Sequence, residues 1–204
     1  VTVATVLRSG GDYDARWVHT LYRQLDRHMP EPWTFACLSD DPSVPGYVPL
    51  RHDWPRWWPK IELFRPGLFD GPVLYLDLDT LVLGDLSGIA SYCGRMAMLA
   101  DFYRLLRGRR QGESGVMAWT PCEHTEAIYH AYVKRPVGTG GDGPFIRRHV
   151  EHEYLQDLYP GQIVSFKADA RRGPPDGARL VAGHGRPRFS DPRAGWAHDF
   201  WKAA

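Results

Sequence analysis

The sequence predicts an α/β fold: one domain with a mostly parallel central sheet flanked by helices. Three observations carry that expectation. At 204 residues the chain can bury one sizeable core and hardly two. Short β-branched or apolar runs alternate along it with stretches of helical period. Its first forty residues read strand, glycine loop, helix, strand, the order that builds parallel sheets through crossover connections.

Taken in order, Val1 to Leu7 is a β-branched strand that runs into the glycine-containing segment RSGGDYD. Asp14 can cap a helix over Ala15 to His28, where Trp17, Leu21 and Leu25 recur at helical spacing, and Pro30 and Pro32 stop it. Thr34 to Leu38 forms a second strand, closed by SDDPSVPG. In RHDWPRWWPKIELFRPGLFDG a short helix is expected from Pro59 to Phe64, because proline suits a first helical position. Val73 to Leu76 is a third strand and Met96 to Ala100 a fourth. The basic stretch RLLRGRR, Arg104 to Arg110, precedes the strand SGVMAW. Helices are expected over Pro121 to Tyr132 and Pro144 to His152, with a glycine-rich turn, RPVGTGGDG, between them. GQIVSF and RLVAGHG read as short late strands, and Phe200 and Trp201 can pack a final helix onto the body.

Composition excludes several function classes. Lys and Arg number 25 against 24 Asp and Glu, so no basic balance points to nucleic acid. The chain has no apolar run long enough for a membrane span and no basic-then-apolar leader. A first residue of Val means that something upstream, at least a Met, was removed or left out. Cys37, Cys93 and Cys122 are scattered and odd in number, which favours a reducing, cytoplasmic setting over a disulfide framework. His149 and His152 lack a third partner for zinc. Trp54, Trp57 and Trp58 form an aromatic cluster that reads as core packing beneath a loop or as a platform for a sugar.

The chemistry concentrates in VLYLDLDTLVLGDL, Val73 to Leu86. Along a strand, positions i and i+2 share a face, so Asp77 and Asp79 are expected to point one way while Leu78 points into the core. Paired carboxylates at a strand end repel unless a cation lies between them, and ligands of open α/β sheets bind at such ends. Oxygen ligands of this kind suit Mg²⁺ or Mn²⁺. Two acids capping a turn is the plainer alternative. Haloacid-dehalogenase phosphatases also carry DxD after an apolar strand, with the first Asp as nucleophile. They place Thr or Val four residues after it, where Leu81 stands here, and GTGGDGPF offers only Asp142 for their second acidic cluster.

WPKIELFRPGLFDGPVLYLDLDTLVLGDL, SGVMAW, GGDGPF and HGRPR, in that order, closely resemble the GT-A fold glycosyltransferases. The nearest likeness is to family 8, the group of glycogenin and the bacterial lipooligosaccharide galactosyltransferases. The resemblance spans roughly Val3 to Arg188. It implies one GT-A domain over residues 1–204, with a short acceptor-side portion from about residue 120. It also implies a glycosyltransferase that moves a sugar from a nucleoside-diphosphate donor, of the UDP-sugar type, to an acceptor hydroxyl.

By the same resemblance, Asp77, Asp79 and His184 hold Mn²⁺ or Mg²⁺ on the donor diphosphate. Lys60 contacts donor sugar or phosphate, and Arg186 and Arg188 stand where the family has a phosphate-binding Lys. Thr5, Leu7, Arg8 and Tyr13 occupy the region that receives the nucleoside, with Tyr13 able to stack on a base. Leu78, Ser114 and Gly115 belong to the donor site, and Asp142 matches the first residue of the family's Asp-Gln pair. Glu113 replaces the Asn of its Asn-Ser-Gly motif, Gly143 replaces the Gln, and the stretch around Arg104 to Arg110 is where a loop folds over the donor. The family retains anomeric configuration. An inverting outcome would need a carboxylate base, for which Asp101 and Asp142 are candidates. A relative that binds nucleotide sugar without turnover is the alternative from another class.

Overall fold

The computed structural model describes residues 1–102, 110–137 and 139–204. The stretch 104–109 and Gly138, expected in a donor-covering loop and in the glycine turn, therefore lie outside the described residues. The strands are β1 (Thr2–Leu7), β2 (Thr34–Ser39), β3 (Tyr47–Pro49), β4 (Val73–Leu76), β5 (Thr80–Val82), β6 (Ala97–Ala100), β7 (Gly112–Trp119), β8 (Glu153–Tyr154), β9 (Ile163–Ser165) and β10 (Leu180–Ala182). The helices are α1 (Ala15–His28), α2 (Ser87–Ala90), α3 (Glu123–Lys134), α4 (Asp142–His149), α5 (Leu155–Leu158) and α6 (Trp196–Ala203). A 3₁₀ helix covers Trp58–Phe64.

The main sheet runs β3-β2-β1-β4-β7-β6-β8 and a small sheet runs β5-β10-β9. β1 pairs in parallel with β2 and β4, and β2 with β3. β7 is antiparallel to both of its neighbours, β4 and β6. The main sheet is buried on both faces, which is why β4 reads as an unbroken apolar run. Leu74 and Leu76 join a core with Trp17, Leu21 and Leu25 of α1, while Val73 and Tyr75 join another with Ile61, Phe64 and Trp119. Each such fully buried side chain contributes about 1.5–3 kcal/mol.

Helix α1 forms where expected. Asp14 caps it by accepting from Arg16 N at 3.0 Å, and Arg27 and His28 complement the dipole at its end. The later helices are shifted. α3 starts after Pro121 and Cys122 and continues to Lys134, and α4 begins at Asp142 rather than Pro144 and ends at His149. Proline is tolerated inside the first turn, so it marks a helix start only to within a residue or two. The strand expected at SGVMAW begins earlier, at Gly112, and so includes Glu113. Strands β3, β5 and β8, each of three residues or fewer, are not among the expected strands, whereas β9 and β10, just as short, fall where GQIVSF and RLVAGHG predict them. The final helix packs as expected, with the Trp201 ring 4.8 Å from Trp17.

The tryptophan cluster divides. Trp58 is buried and stacks on Tyr132 at 4.7 Å, and Trp54 is half-buried and stacks on His52 at 4.2 Å. Trp57 is exposed. The segment is anchored by Glu62, fully buried, which accepts from Arg51 N at 2.8 Å, His52 N at 2.9 Å and Arg65 Nη1 at 2.9 Å. A buried carboxylate is stable only when satisfied in this way.

Candidate active site

Asp77 and Asp79 do not lie on a strand. β4 ends at Leu76 and β5 begins at Thr80, so the pair occupies the turn between them, closed by Thr80 N donating to Asp77 O at 3.1 Å. Strand alternation is therefore not what brings the carboxylates together. Leu78 does turn into the core, as expected.

Three other segments meet this turn because of sheet order. The parallel neighbour β1 delivers the loop from Arg8 to Asp14 at its carboxyl end. The start of β7, antiparallel to β4, brings Ser114 and Gly115 alongside, and Asp77 N donates to Gly115 O at 2.8 Å. β10 pairs with β5, Ala182 opposite Thr80, so the chain emerges at Gly183, whose N–H donates to Asp79 O at 2.7 Å. A Cβ at Gly183 would stand 2.6 Å from that carbonyl oxygen, so only glycine fits. Between these segments lies a cleft of about 910 Å³, the size of a small-molecule site.

Lys60 is the centre of one side. Its ammonium, buried, lies 2.8 Å from Asp77 Oδ1 and 2.9 Å from Asp142 Oδ2. Ser114 Oγ donates to Asp142 Oδ2 at 2.6 Å, and Tyr75 OH to Asp77 Oδ1 at 2.5 Å. Burial works against the Lys60 charge, but Asp142 and Asp77 outweigh it and hold its pKa above the ordinary lysine value. Burial likewise opposes the Asp142 carboxylate, and Lys60 and Ser114 reverse the effect, keeping it ionised below the usual range. Asp142 also sits in the first turn of α4, where a negative charge is favoured.

Asp79 anchors the other side. Its Oδ2 accepts from Tyr13 OH at 2.7 Å and from Arg188 Nη1 at 2.8 Å. Arg188 Nη2 continues to Asp12 Oδ2 at 3.0 Å, and Arg186 Nη2 reaches Asp12 Oδ1 at 3.1 Å. Burial and the nearby Asp77 charge push the Asp79 carboxyl up to about 6 despite these partners. The Arg188 guanidinium lies 4.8 Å from the centre of the Tyr13 ring, so base stacking on Tyr13 would use the face away from Arg188.

The structure gathers Leu7, Arg8, Tyr13, Lys60, Asp77, Leu78, Asp79, Ser114, Gly115, Asp142, His184 and Arg188 around this one cleft. Thr5 is fully buried and does not line it, its Oγ1 having no partner among the described residues. Arg186 stays at the rim, paired with Asp12. Arg8 pairs with Asp53 and lies 3.5 Å from Asp40. Asp12 and Tyr75 were missed in the sequence. Asp12 stands in a glycine loop where an acid is unremarkable, and Tyr75 looks like any core aromatic. The two departures from the family pattern touch: a Cβ on Gly143 would lie 3.3 Å from Glu113 Oε2 and 3.3 Å from Ser114 Oγ.

The residues fit a divalent cation through two ligands. Each aspartate commits one oxygen to protein partners, leaving Asp77 Oδ2 and Asp79 Oδ1 without a hydrogen bond among the described residues. Two carboxylate oxygens together with substrate phosphates are a common Mg²⁺-type donor set. His184 lines the same cleft, and burial lowers its pKa, favouring the neutral ring a ligand needs. Its Nε2 is 2.9 Å from Ser165 Oγ, and no group of three or more His, Cys, Asp and Glu is gathered for a metal among the described residues.

No protein-family model matches the chain, and no curated protein matches it in sequence. Solved structures do match its fold. The glycosyltransferase GlyE of Streptococcus pneumoniae TIGR4 superimposes with a TM-score of 0.68 at 14% identity, over 98% of this chain and 59% of GlyE. An active-site mutant of LgtC superimposes with a TM-score of 0.68 at 12% identity, over 99% of this chain and 94% of that one. The bifunctional glycosyltransferase WbbM gives 0.68 at 11% identity, over 98% of this chain and 48% of that one. The chain thus spans about half to three fifths of GlyE and WbbM and nearly all of LgtC. The GT-A fold implied by the sequence resemblance is the fold of this chain. Among the described residues, no helix is long and apolar enough to cross a membrane.

Proposed function

We propose that the chain is a metal-dependent glycosyltransferase that transfers a sugar from a nucleoside-diphosphate donor, of the UDP-sugar type, to an acceptor hydroxyl with retention. The observation that carries this reading is the charge layout of the cleft. Among the described residues, six carboxylates line it, Asp12, Asp77, Asp79, Asp101, Glu113 and Asp142, against four cations, Arg8, Arg56, Lys60 and Arg188. A diphosphate entering such a site meets net negative charge unless a divalent cation enters with it.

Asp77 and Asp79, with His184 as a candidate third ligand, would hold Mn²⁺ or Mg²⁺. When bound, such an ion supplies Lewis-acid stabilisation of the diphosphate leaving group. Arg188 and Arg186 would turn from Asp12 to phosphate oxygens, a guanidinium matching them in pairs. Lys60, fixed between Asp77 and Asp142, would turn from its long contacts with Ser114 Oγ and O, at 3.3 and 3.4 Å, to donate to the donor sugar or the bridging oxygen. Asp142, held ionised, would orient a sugar hydroxyl rather than carry a proton. The loop from Arg8 to Tyr13 would receive the nucleoside, and the part of the chain from about residue 120 would border the acceptor.

The test is a thermal-shift panel of UDP, GDP, CDP and dTDP with and without Mn²⁺, followed by donor hydrolysis. One nucleotide should stabilise the chain in a Mn²⁺-dependent way, and Asp79→Ala should abolish both that shift and slow hydrolysis of the matching donor sugar. Stabilisation by none of the four would sink the assignment. Turnover of a simple phosphomonoester through Asp77 would favour the phosphatase alternative instead.

A further inference from the structure

Arg56 is the one non-glycine residue with positive φ among the described residues, at 59°. A left-handed conformation is unfavourable for a residue other than glycine and persists only when its surroundings enforce it. The bend separates two adjacent indoles. Trp58 goes into the core, held by its backbone N–H donating to Pro55 O at 3.2 Å and by its ring stack on Tyr132. Trp57 is turned out and is 41% exposed. The other exposed large apolar side chains, Tyr47, Val133 and Leu158, lie away from the cleft, whereas Trp57 and Arg56 line it. The Arg56 guanidinium lies 5.7 Å from the Trp57 ring centre and backs it.

The cleft has two ends with different chemistry. Arg186 and Arg188, the cations suited to a diphosphate, stand with Tyr13 and Asp79. Lys60 stands with Ser114 and Asp142, a set of hydroxyl-binding groups, and Trp57 precedes it on the same short segment. The geometry points to Trp57, backed by Arg56, as a stacking platform for the acceptor, which is then a pyranose sugar docked against the Lys60 end of the cleft. The assignment of ends rests on the diphosphate reading given above. An exposed indole offers a flat apolar face to the C–H face of a sugar ring while leaving the ring hydroxyls in water, and Arg56 is placed to meet a hydroxyl or an acidic substituent.

The experiment is NMR on the full chain with ¹⁵N-labelled indoles, the Trp57 Nε1–H signal being identified by its loss in Trp57→Ala. Methyl β-galactopyranoside, methyl β-glucopyranoside and the methyl glycoside of N-acetylglucosamine are titrated separately from the four nucleoside diphosphates with Mn²⁺. Expected is a saturable shift of the Trp57 signal with at least one glycoside. By a second readout, ligand-observed saturation transfer, Trp57→Ala should weaken that glycoside roughly tenfold, with Trp57→Tyr recovering most of the loss. If no glycoside moves the signal, or if a nucleoside diphosphate moves it and the glycosides do not, Trp57 is not an acceptor platform. Should no nucleotide stabilise the wild-type chain, the donor reading falls by itself. A glycoside response at Trp57 would then still identify a sugar subsite.

Discussion

Replacing Lys60 by Met tests the centre of the site without any substrate. The ammonium side chain is 10% exposed and that of its partner Asp142 is 12% exposed, while Asp77 is 33% exposed. Water can therefore compensate Asp77 in part, but Asp142 is left as a buried carboxylate with Ser114 as its remaining side-chain partner. Removing one partner of a buried ion pair costs roughly 3–5 kcal/mol, chiefly through the charge left behind. For a chain of this size that corresponds to a Tm lowered by about 6–20 °C. Adding Asp142→Asn removes the stranded charge, so the double variant should be more stable than the sum of the two single effects by about 1–3 kcal/mol. The assay is urea or thermal unfolding of the wild type, both single variants and the double variant at one pH. A Tm loss under about 2 °C for Lys60→Met, or simple additivity in the cycle, would refute the view of Lys60 as the buried counter-ion of Asp142.

Gly183→Ala should lower stability by about 1–3 kcal/mol, since the new methyl must displace the Asp79 backbone or Phe189; its Mn²⁺-dependent nucleotide shift should fall with it in the same thermal assay. Glu62→Ala leaves two backbone N–H groups and Arg65 without their buried acceptor, and chemical denaturation should show a loss of about 3–5 kcal/mol. Thiol labelling at pH 8 should modify exposed Cys93 rapidly and buried Cys37 only on unfolding, as burial pushes the Cys37 thiol up to about 12. The folded state thus prefers the neutral thiol, so this group's contribution to stability is complete below the ordinary thiol pKa of about 8.5 and is lost as pH rises toward 12. A Cys37→Ala variant should lose less stability than wild type over that interval, measured as Tm against pH.

Local signals in the sequence determined much of the fold. The Asp14 cap, the Trp17–Leu21–Leu25 stripe and the Pro30 stop define α1 by themselves, because capping and helical period act within a few residues. The unbroken Val73–Leu76 run similarly announces a strand covered on both faces. The ordered landmarks from Lys60 to Arg188 pointed to the right fold, and they name Lys60, Asp77, Asp79, Ser114, Asp142, His184 and Arg188 among the residues that line the cleft. What the sequence could not hold is the pairing of charges across long separations. Lys60 meets Asp142, and Arg188 meets Asp79 and Asp12, only because the main sheet sets β1, β4 and β7 side by side and the small sheet joins β10 to β5 beside them. The same applies to the aspartates: strand alternation suggested their common direction, yet a turn and the antiparallel pairing of β5 with β10 produce it. The three neighbouring tryptophans look alike in sequence. Which one faces the cleft was decided by a single left-handed residue and the buried partners that hold it. Periodicity is a property of neighbours along the chain, whereas a site is made by neighbours in space, and only the tertiary structure sets those.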